Sequence, residues 1–146
     1  MKDRIQHRYF FPHPPEMVWA YLTKAELMAL WLMENDFLPI VGHDFQFRTR
    51  ALPNLDFDGV VYCKVLEIKP FRRLSYSWKG GPGEGRITLD SLVVWTLTPV
   101  ENGTELFLDH SGFKEPNNLS IYPAMNEGWL KNIQKIDGLI KMTPGV

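Results

Sequence analysis

The sequence has very little cysteine: Cys63 is the only one among 146 residues. One cysteine cannot form a disulfide within the chain. Cys63 also stands in an apolar run, away from the cluster of His or Cys partners that a metal site needs. The sequence therefore predicts no disulfide framework and no metal site, and it favours a reducing, cytoplasmic location.

Excess charge and long apolar runs are also lacking. Sixteen Lys and Arg face seventeen Asp and Glu, and no segment concentrates one sign, so we expect no nucleic-acid partner. No apolar run approaches the roughly 18 residues of a membrane span, and the charged segment before Tyr9-Phe10-Phe11 does not resemble a signal peptide. The chain is expected to be soluble, with no membrane partner.

Recognisable catalytic and cofactor motifs are missing as well. The sequence contains no Gly-x-Ser-x-Gly elbow and no His-Glu-x-x-His helix. The glycines between Gly80 and Gly85 lack the spacing of a dinucleotide fingerprint, and no Lys-Ser or Lys-Thr follows them, so a flexible hairpin is predicted there. We expect no cofactor and assign no catalytic residue.

Aromatic residues, by contrast, are abundant: five Trp and nine Phe contribute to an aromatic fraction of 13%. A chain of this length buries roughly 68–70% of its unfolded surface, which allows one sizeable core. We therefore expect residues 1–146 to form a single domain with a ring-rich interior.

Helical patterns occur near both ends. After a strand from Arg4 to Phe11, Pro14 and Pro15 suit the first turn of a helix. The pair Thr23 and Glu26 has capping-box spacing and predicts a second short helix from about Lys24 to Trp31. Pro123 opens a long amphipathic helix, whose apolar stripe comprises Met125, Trp129, Ile133, Ile136 and Ile140. Gly128 inside that helix suggests that another element or a ligand approaches the backbone closely.

From Asp44 onward the apolar residues alternate with more polar ones, as they do in half-buried strands. The sets are Phe45 and Phe47; Val61, Cys63 and Val65; Leu74, Tyr76 and Trp78; Val93, Trp95 and Leu97; and Leu106, Leu108 and His110. Turn residues between them, such as Asn102-Gly103, predict sequential antiparallel hairpins. The fold class is therefore α+β, with a curved antiparallel sheet and two short helices wrapped around a long C-terminal helix, and a cavity between sheet and helix.

Several segments resemble a known family. They read HPPEMVWAYLTKAELMALW from His13 to Trp31, then VGHDFQFR, DGVVYCKVLEIKPFRRLSYSW, VVWTLTPVENGTELFLDHSGF and GWLKNI. Together they are similar to the family named after the activator of the heat-shock protein ninety ATPase, within the START-like or SRPBCC helix-grip superfamily. The resemblance implies the helix-grip fold with an internal cavity. Members include ligand carriers, cyclase-like enzymes, self-sacrificing resistance proteins and a co-chaperone domain, so the fold alone does not fix the activity.

The resemblance also implies where a ligand would bind. It places six residues on or near the cavity wall: Tyr76, Trp78, Trp95, His110, Phe113 and Trp129. Trp31, Phe45 and Phe47 would stand at the mouth or floor. Strand parity and the helix stripe add Val61, Cys63 and Ile133 to the candidate ligand-binding set.

His110 is the most informative polar residue, because parity turns it inward beside Leu106 and Leu108. A buried neutral imidazole can bind a carbonyl or phenol of a ligand. The alternative is a structural histidine bonded to a nearby backbone group or to Ser111. The sequence does not choose between these two roles. His7, His13 and His43 show no partner pattern and are predicted at the surface.

Three functions are compatible with these patterns. The leading hypothesis is non-catalytic binding of a small apolar or aromatic molecule, such as a lipid, flavonoid or polyketide, with affinity from burial and orientation from His110. One alternative is a cyclase-like or hydrolytic enzyme that uses His110 as general acid or base, with Tyr76 as a second candidate group. Another is a co-chaperone-like modulator of a heat-shock chaperone ATPase, which the family name alone suggests. The chain is expected to be a monomer or weak homodimer.

Overall fold

The structure is a computed structural model and describes residues 3–142. In chain order its elements are β1 (Arg4–Phe11), α1 (Pro15–Thr23), α2 (Ala25–Trp31), β2 (Glu34–Asn35), β3 (Asp44–Arg48), a 3-10 turn (Pro53–Leu55), β4 (Val60–Lys69), β5 (Arg73–Gly80), β6 (Leu89–Val100), β7 (Gly103–Ser111) and α3 (Ile121–Met142). The sequence patterns predicted all of these except β2 and the 3-10 turn.

The seven strands form one antiparallel sheet in the order β1-β7-β6-β5-β4-β3-β2. Strands β2 to β7 follow one another as a meander, while β1 pairs along its whole length with β7, from Arg4 opposite Ser111 to Phe11 opposite Thr104. The first strand is therefore joined to the last one. The sheet curls into a half-barrel with α3 in its concave side, and the expected helix-grip fold is confirmed.

The concave side holds the core. Every inward residue that alternation predicted on β3 to β7 is buried, from Phe45 on β3 to His110 on β7. Trp129, Ile133, Ile136 and Ile140 of α3 are buried as well, and Met125 is partly buried. The inward side chains of the strands recur every two residues, and those of the helix recur every three to four. Both sets pack into one apolar layer.

Two local predictions are wrong. Thr23 does not cap α2, because its hydroxyl donates to the Trp19 carbonyl in the last turn of α1 (2.8 Å), and Lys24 starts α2 without a side-chain cap. His13 is not a surface residue, because its side chain is only 14% exposed and Nε2 lies 2.7 Å from Asp137 Oδ1 on α3. This contact fixes the turn between β1 and α1 against the C-terminal helix.

The expected close approach at Gly128 is also wrong, since a Cβ added there meets nothing within 4 Å. Glycine in a helix interior costs about 1 kcal/mol relative to alanine. We therefore expect Gly128→Ala to raise the free energy of unfolding by roughly 0.5–1 kcal/mol in urea denaturation. Gly81→Ala is the contrasting control, because its Cβ would collide with the Arg86 carbonyl oxygen. A loss of stability in Gly128→Ala would contradict the open space at this position.

Candidate functional site

A cavity of about 160 Å³ lies at one end of the half-barrel, between the ends of the central strands and the first turns of α3. Apolar side chains make up most of its wall, and its rim includes the exposed residues Thr49, Asp56, Asn117 and Ala124. The sixteen lining residues are Met33, Thr49, Leu52, Leu55, Asp56, Phe57, Val61, Trp78, Gly80, Gly81, Thr88, Leu89, Asn117, Ile121, Ala124 and Met125.

One side of the cavity is backbone at the end of β5. The Asp58 N–H donates to the Gly81 carbonyl (2.8 Å), and the Thr88 N–H donates to the Gly80 carbonyl (2.9 Å). Gly81 is required here, because any Cβ would collide with the carbonyl of Arg86. The glycine run from Gly80 to Gly85 was predicted to be a flexible hairpin. Its first two residues are instead closely packed and form one wall of the cavity.

A second side is the segment between β3 and β4, which contains the 3-10 turn. Its ends are tied together because the Leu52 N–H donates to the Phe57 carbonyl (2.8 Å). Leu52, Leu55 and Phe57 line the cavity from this segment. Three apolar side chains in a loop are the sequence signal that could have indicated a cavity cover, but they do not follow strand periodicity.

Asn118 holds the third side in place and was missed as a positioning residue. Its side chain is buried, accepts from the Lys114 N–H (2.8 Å) and donates to the Thr88 carbonyl (2.9 Å). Its own carbonyl accepts from the Tyr122 N–H at the start of α3 (3.1 Å). These bonds fix the first turn of α3 beside the end of the sheet.

The structure brings only two of the twelve predicted ligand-binding residues to this cavity, Val61 and Trp78. The other ten are buried but do not line it: Trp31, Phe45, Phe47, Cys63, Tyr76, Trp95, His110, Phe113, Trp129 and Ile133. Ligand contact by these ten stays a prediction. What they form instead is a closely packed aromatic core next to the cavity.

Four tryptophans run through this core as a chain of ring contacts. Trp31 lies edge-on to Trp95 (5.9 Å between centroids), Trp95 edge-on to Trp129 (5.4 Å), and Trp129 tilted against Trp78 (5.2 Å). Phe45 and Phe47 extend the contacts through Tyr76 and Trp78. Edge-to-face rings at these distances add favourable energy beyond their buried area. Trp78 therefore joins the solid core to the cavity wall.

His110 has both ring nitrogens occupied. Ser91 Oγ donates its one hydrogen to the Trp78 carbonyl (2.7 Å), so it accepts from His110 Nε2–H (2.8 Å). The indole N–H of Trp129 donates to His110 Nδ1 (3.0 Å). This fixes one neutral tautomer, and burial lowers the pKa of His110 to about 3. The structural role is thus the observed one, with Ser91 and Trp129 as partners and not Ser111.

Two further ionisable groups of the core, Tyr76 and Cys63, are also held in their neutral forms. The indole N–H of Trp95 donates to the Tyr76 hydroxyl (3.0 Å), and burial raises the pKa of Tyr76 well above its usual range. Burial, with a smaller contribution from the charge of Asp36, likewise raises the pKa of the Cys63 thiol. A neutral, buried thiol is a weak nucleophile and behaves as a small hydrophobe.

Two kinds of feature are absent from residues 3–142. No group of three or more His, Cys, Asp or Glu side chains in that range could hold a metal ion. No helix in the same range is both long enough and apolar enough to cross a membrane.

The sequence matches a known family along most of its length, in agreement with the fold. The family described as Activator of Hsp90 ATPase homolog 1-like protein matches residues 12–141. The chain belongs to this family. Protein MLL2253 from Mesorhizobium loti, a solved structure, shares 35% sequence identity with a TM-score of 0.83, over 96% of this chain and 98% of that one. No match is found among curated proteins.

Two more distant structures resemble this activator-homologue chain in fold alone. The Aha1 dimer from Colwellia psychrerythraea has 20% identity and a TM-score of 0.77, over 97% of this chain and 98% of that one. DynU16, a putative protein in the dynemicin biosynthetic locus, has 22% identity and a TM-score of 0.76, over 97% of this chain but 48% of that one. The family's fold is compatible with ligand binding.

Proposed function

We propose that this chain binds a small, mostly apolar molecule in the cavity at the end of the half-barrel, without catalysis. The observation that carries the proposal is the cavity itself, about 160 Å³ of space with a largely apolar wall beside a closely packed core. Apolar walls with a few polar groups are typical of ligand sites. Hydrophobic burial supplies the affinity, and Trp78 offers a ring on which a flat ligand can stack.

Cavity size limits the class of ligand. An apolar cavity of about 150 Å³ holds benzene, whereas sites for drug-sized molecules span roughly 300–1,000 Å³. A volume of 160 Å³ thus suits one aromatic ring or a short alkyl chain. A flavonoid or polyketide would need the segment between β3 and β4 to move outward. The expected ligand is therefore a molecule with one aromatic ring or a short alkyl chain.

The enzyme alternative is not favoured by the observed geometry. A histidine that acts as general base must reach its substrate's proton with a free ring nitrogen. In His110, Nδ1 is hydrogen-bonded to Trp129 and Nε2 to Ser91, and the residue does not line the cavity. The co-chaperone alternative rests on the family description and not on a surface feature of this chain, and it stays a prediction.

Titration with toluene tests the proposal. A benzyl-sized ring buries roughly 200 Å², which at about 25 cal/mol per Å² corresponds to a Kd on the order of 0.1–1 mM. We expect saturable shifts of methyl signals from Leu89, Ile121 and Met125 in NMR spectra. Methyl groups at the far end of α3, such as Ile140, serve as the internal control. Linear, unsaturable shifts spread over the whole protein would count against the site.

A matched pair of substitutions on β4 separates the cavity from the core. Val61 and Val65 share a strand, a face and an exposure of 1%, but only Val61 lines the cavity. Val61→Phe should fill the space, abolish toluene binding and leave the melting temperature nearly unchanged. Val65→Phe should overpack the core and lower the free energy of unfolding by roughly 1–3 kcal/mol. Equal destabilisation by both changes would show that no usable space exists at Val61.

A further inference from the structure

The cavity wall carries one formal charge. Asp56 is the only ionisable residue among the sixteen that line it, and no Lys, Arg or His is among them. We propose that the cavity selects cationic ligands, namely small primary amines with one aromatic ring or a short alkyl chain, and rejects carboxylates. This inference rests on the proposed function and specifies the ligand class for the same site.

The Asp56 carboxylate has no partner within residues 3–142. No ion pair or side-chain hydrogen bond in that range involves it. Two other acidic residues differ, since Asp58 accepts from the Val60 N–H (3.0 Å) and Asp36 pairs with Arg48 (3.7 Å). Asp56 is thus available to an ammonium group at the rim.

A turn role for Asp56 does not require its charge. The residue follows the 3-10 turn in the left-handed conformation, with φ 55° and ψ 43°. Asn and Asp both tolerate that region better than other side chains. Asp56→Asn therefore preserves the turn and removes the charge, which lets an experiment separate the two roles.

The partial positive charge at the start of α3 acts against the negative charge of Asp56, but it is the weaker of the two charges. A helix start carries about half a positive charge, spread over its free N–H groups. Here the Tyr122 N–H is already used by the Asn118 carbonyl, and Pro123 has no N–H. The full charge of a carboxylate outweighs this partial charge.

The test compares benzylamine, benzyl alcohol and benzoate at pH 7 and low salt, with binding followed by NMR. These probes share the ring and differ in charge. We expect benzylamine to bind about fivefold more tightly than benzyl alcohol, which is the gain typical of a partly exposed charge pair. Benzoate should bind at least about fivefold more weakly than benzyl alcohol, because its carboxylate is repelled by Asp56. Added salt should shrink these differences. In Asp56→Asn, benzylamine and benzyl alcohol should bind equally.

Glu101→Gln is the charge-matched control. Glu101 is exposed in the turn after β6, whereas Leu89 at the cavity begins that strand, so the two ends are separated by up to roughly 35 Å along the strand. This variant should retain the amine preference. Equal affinity of wild type for benzylamine and benzyl alcohol, or a preference that survives in Asp56→Asn, overturns the inference and leaves the proposed function intact. Absence of binding by all three probes and by toluene overturns both.

Discussion

Replacing Trp129 with alanine should lower the free energy of unfolding by about 3–5 kcal/mol, the range for a buried Trp cut to Ala. Trp129 is 3% exposed, and its ring contacts those of Trp78, Trp95 and His110. Its loss leaves a hole at the centre of the aromatic core and deprives His110 Nδ1 of its donor. Urea denaturation monitored by far-ultraviolet circular dichroism measures the change.

Two further variants resolve this effect into packing and hydrogen bonding. Trp129→Phe keeps a ring but removes the N–H, so the unpaired His110 nitrogen should account for roughly 1–3 kcal/mol of the loss. Leu130→Ala, on the same helix at a position 37% exposed, should cost much less. If Trp129→Ala were no more destabilising than Leu130→Ala, the central packing of α3 described above would be wrong.

Acid should destabilise the fold through His110. Its pKa is about 3 in the folded protein and about 6.5 when unfolded, so between these values the unfolded chain binds an additional proton. Stability from this group is complete above about pH 6.5 and is lost as the pH falls towards 3. From pH 6.5 to pH 4.5 the expected loss is about 2 kcal/mol.

His110→Gln provides the comparison, because glutamine does not titrate and the other three histidines remain. The stability of this variant should fall less steeply with acid than that of wild type, by the same 2 kcal/mol or so over that interval. Parallel curves for the two proteins would argue against a buried neutral His110. In wild type, the ring C2 proton of His110 should show no titration down to pH 4.5, whichever way the variant folds.

The fold was predictable because its signals are periodic. Alternation from Phe45 to His110 placed each strand face, and the stripe from Trp129 to Ile140 placed the face of α3. Each pattern repeats over many residues, so one misread position does not change the outcome. The capping-box prediction for Thr23 was wrong because it relied on only two residues. The Thr23 hydroxyl instead donates to the Trp19 carbonyl in the last turn of α1.

The cavity was harder to predict because its wall comes mainly from segments without period. Leu52, Leu55 and Asp56 lie in or directly beside a 3-10 turn, and Asn117 lies in a loop. Inward parity shows only that a side chain leaves solvent, and it does not distinguish a packed ring from one facing empty space. Trp78 faces the cavity while Trp95, on the neighbouring strand, is surrounded by core.

The same reasoning explains why His110 seemed a ligand-binding residue. Parity correctly turned it inward, but its partners come from β6 and α3, far away in sequence. Ser91 is nineteen residues before it and Trp129 nineteen residues after it. A sequence-based interpretation can assign a buried imidazole to the interior, while its occupied nitrogens become visible only once the three elements are assembled.

We infer that the usable space of this activator-homologue chain lies at the end of the half-barrel and not within its aromatic core. Diffraction from crystals soaked in bromobenzene tests this most directly, because anomalous scattering locates the bromine. We predict a peak bordered by Val61, Trp78, Leu89 and Met125. A peak among Trp95, His110 and Trp129, or no peak in crystals whose cavity is open to solvent, would contradict it.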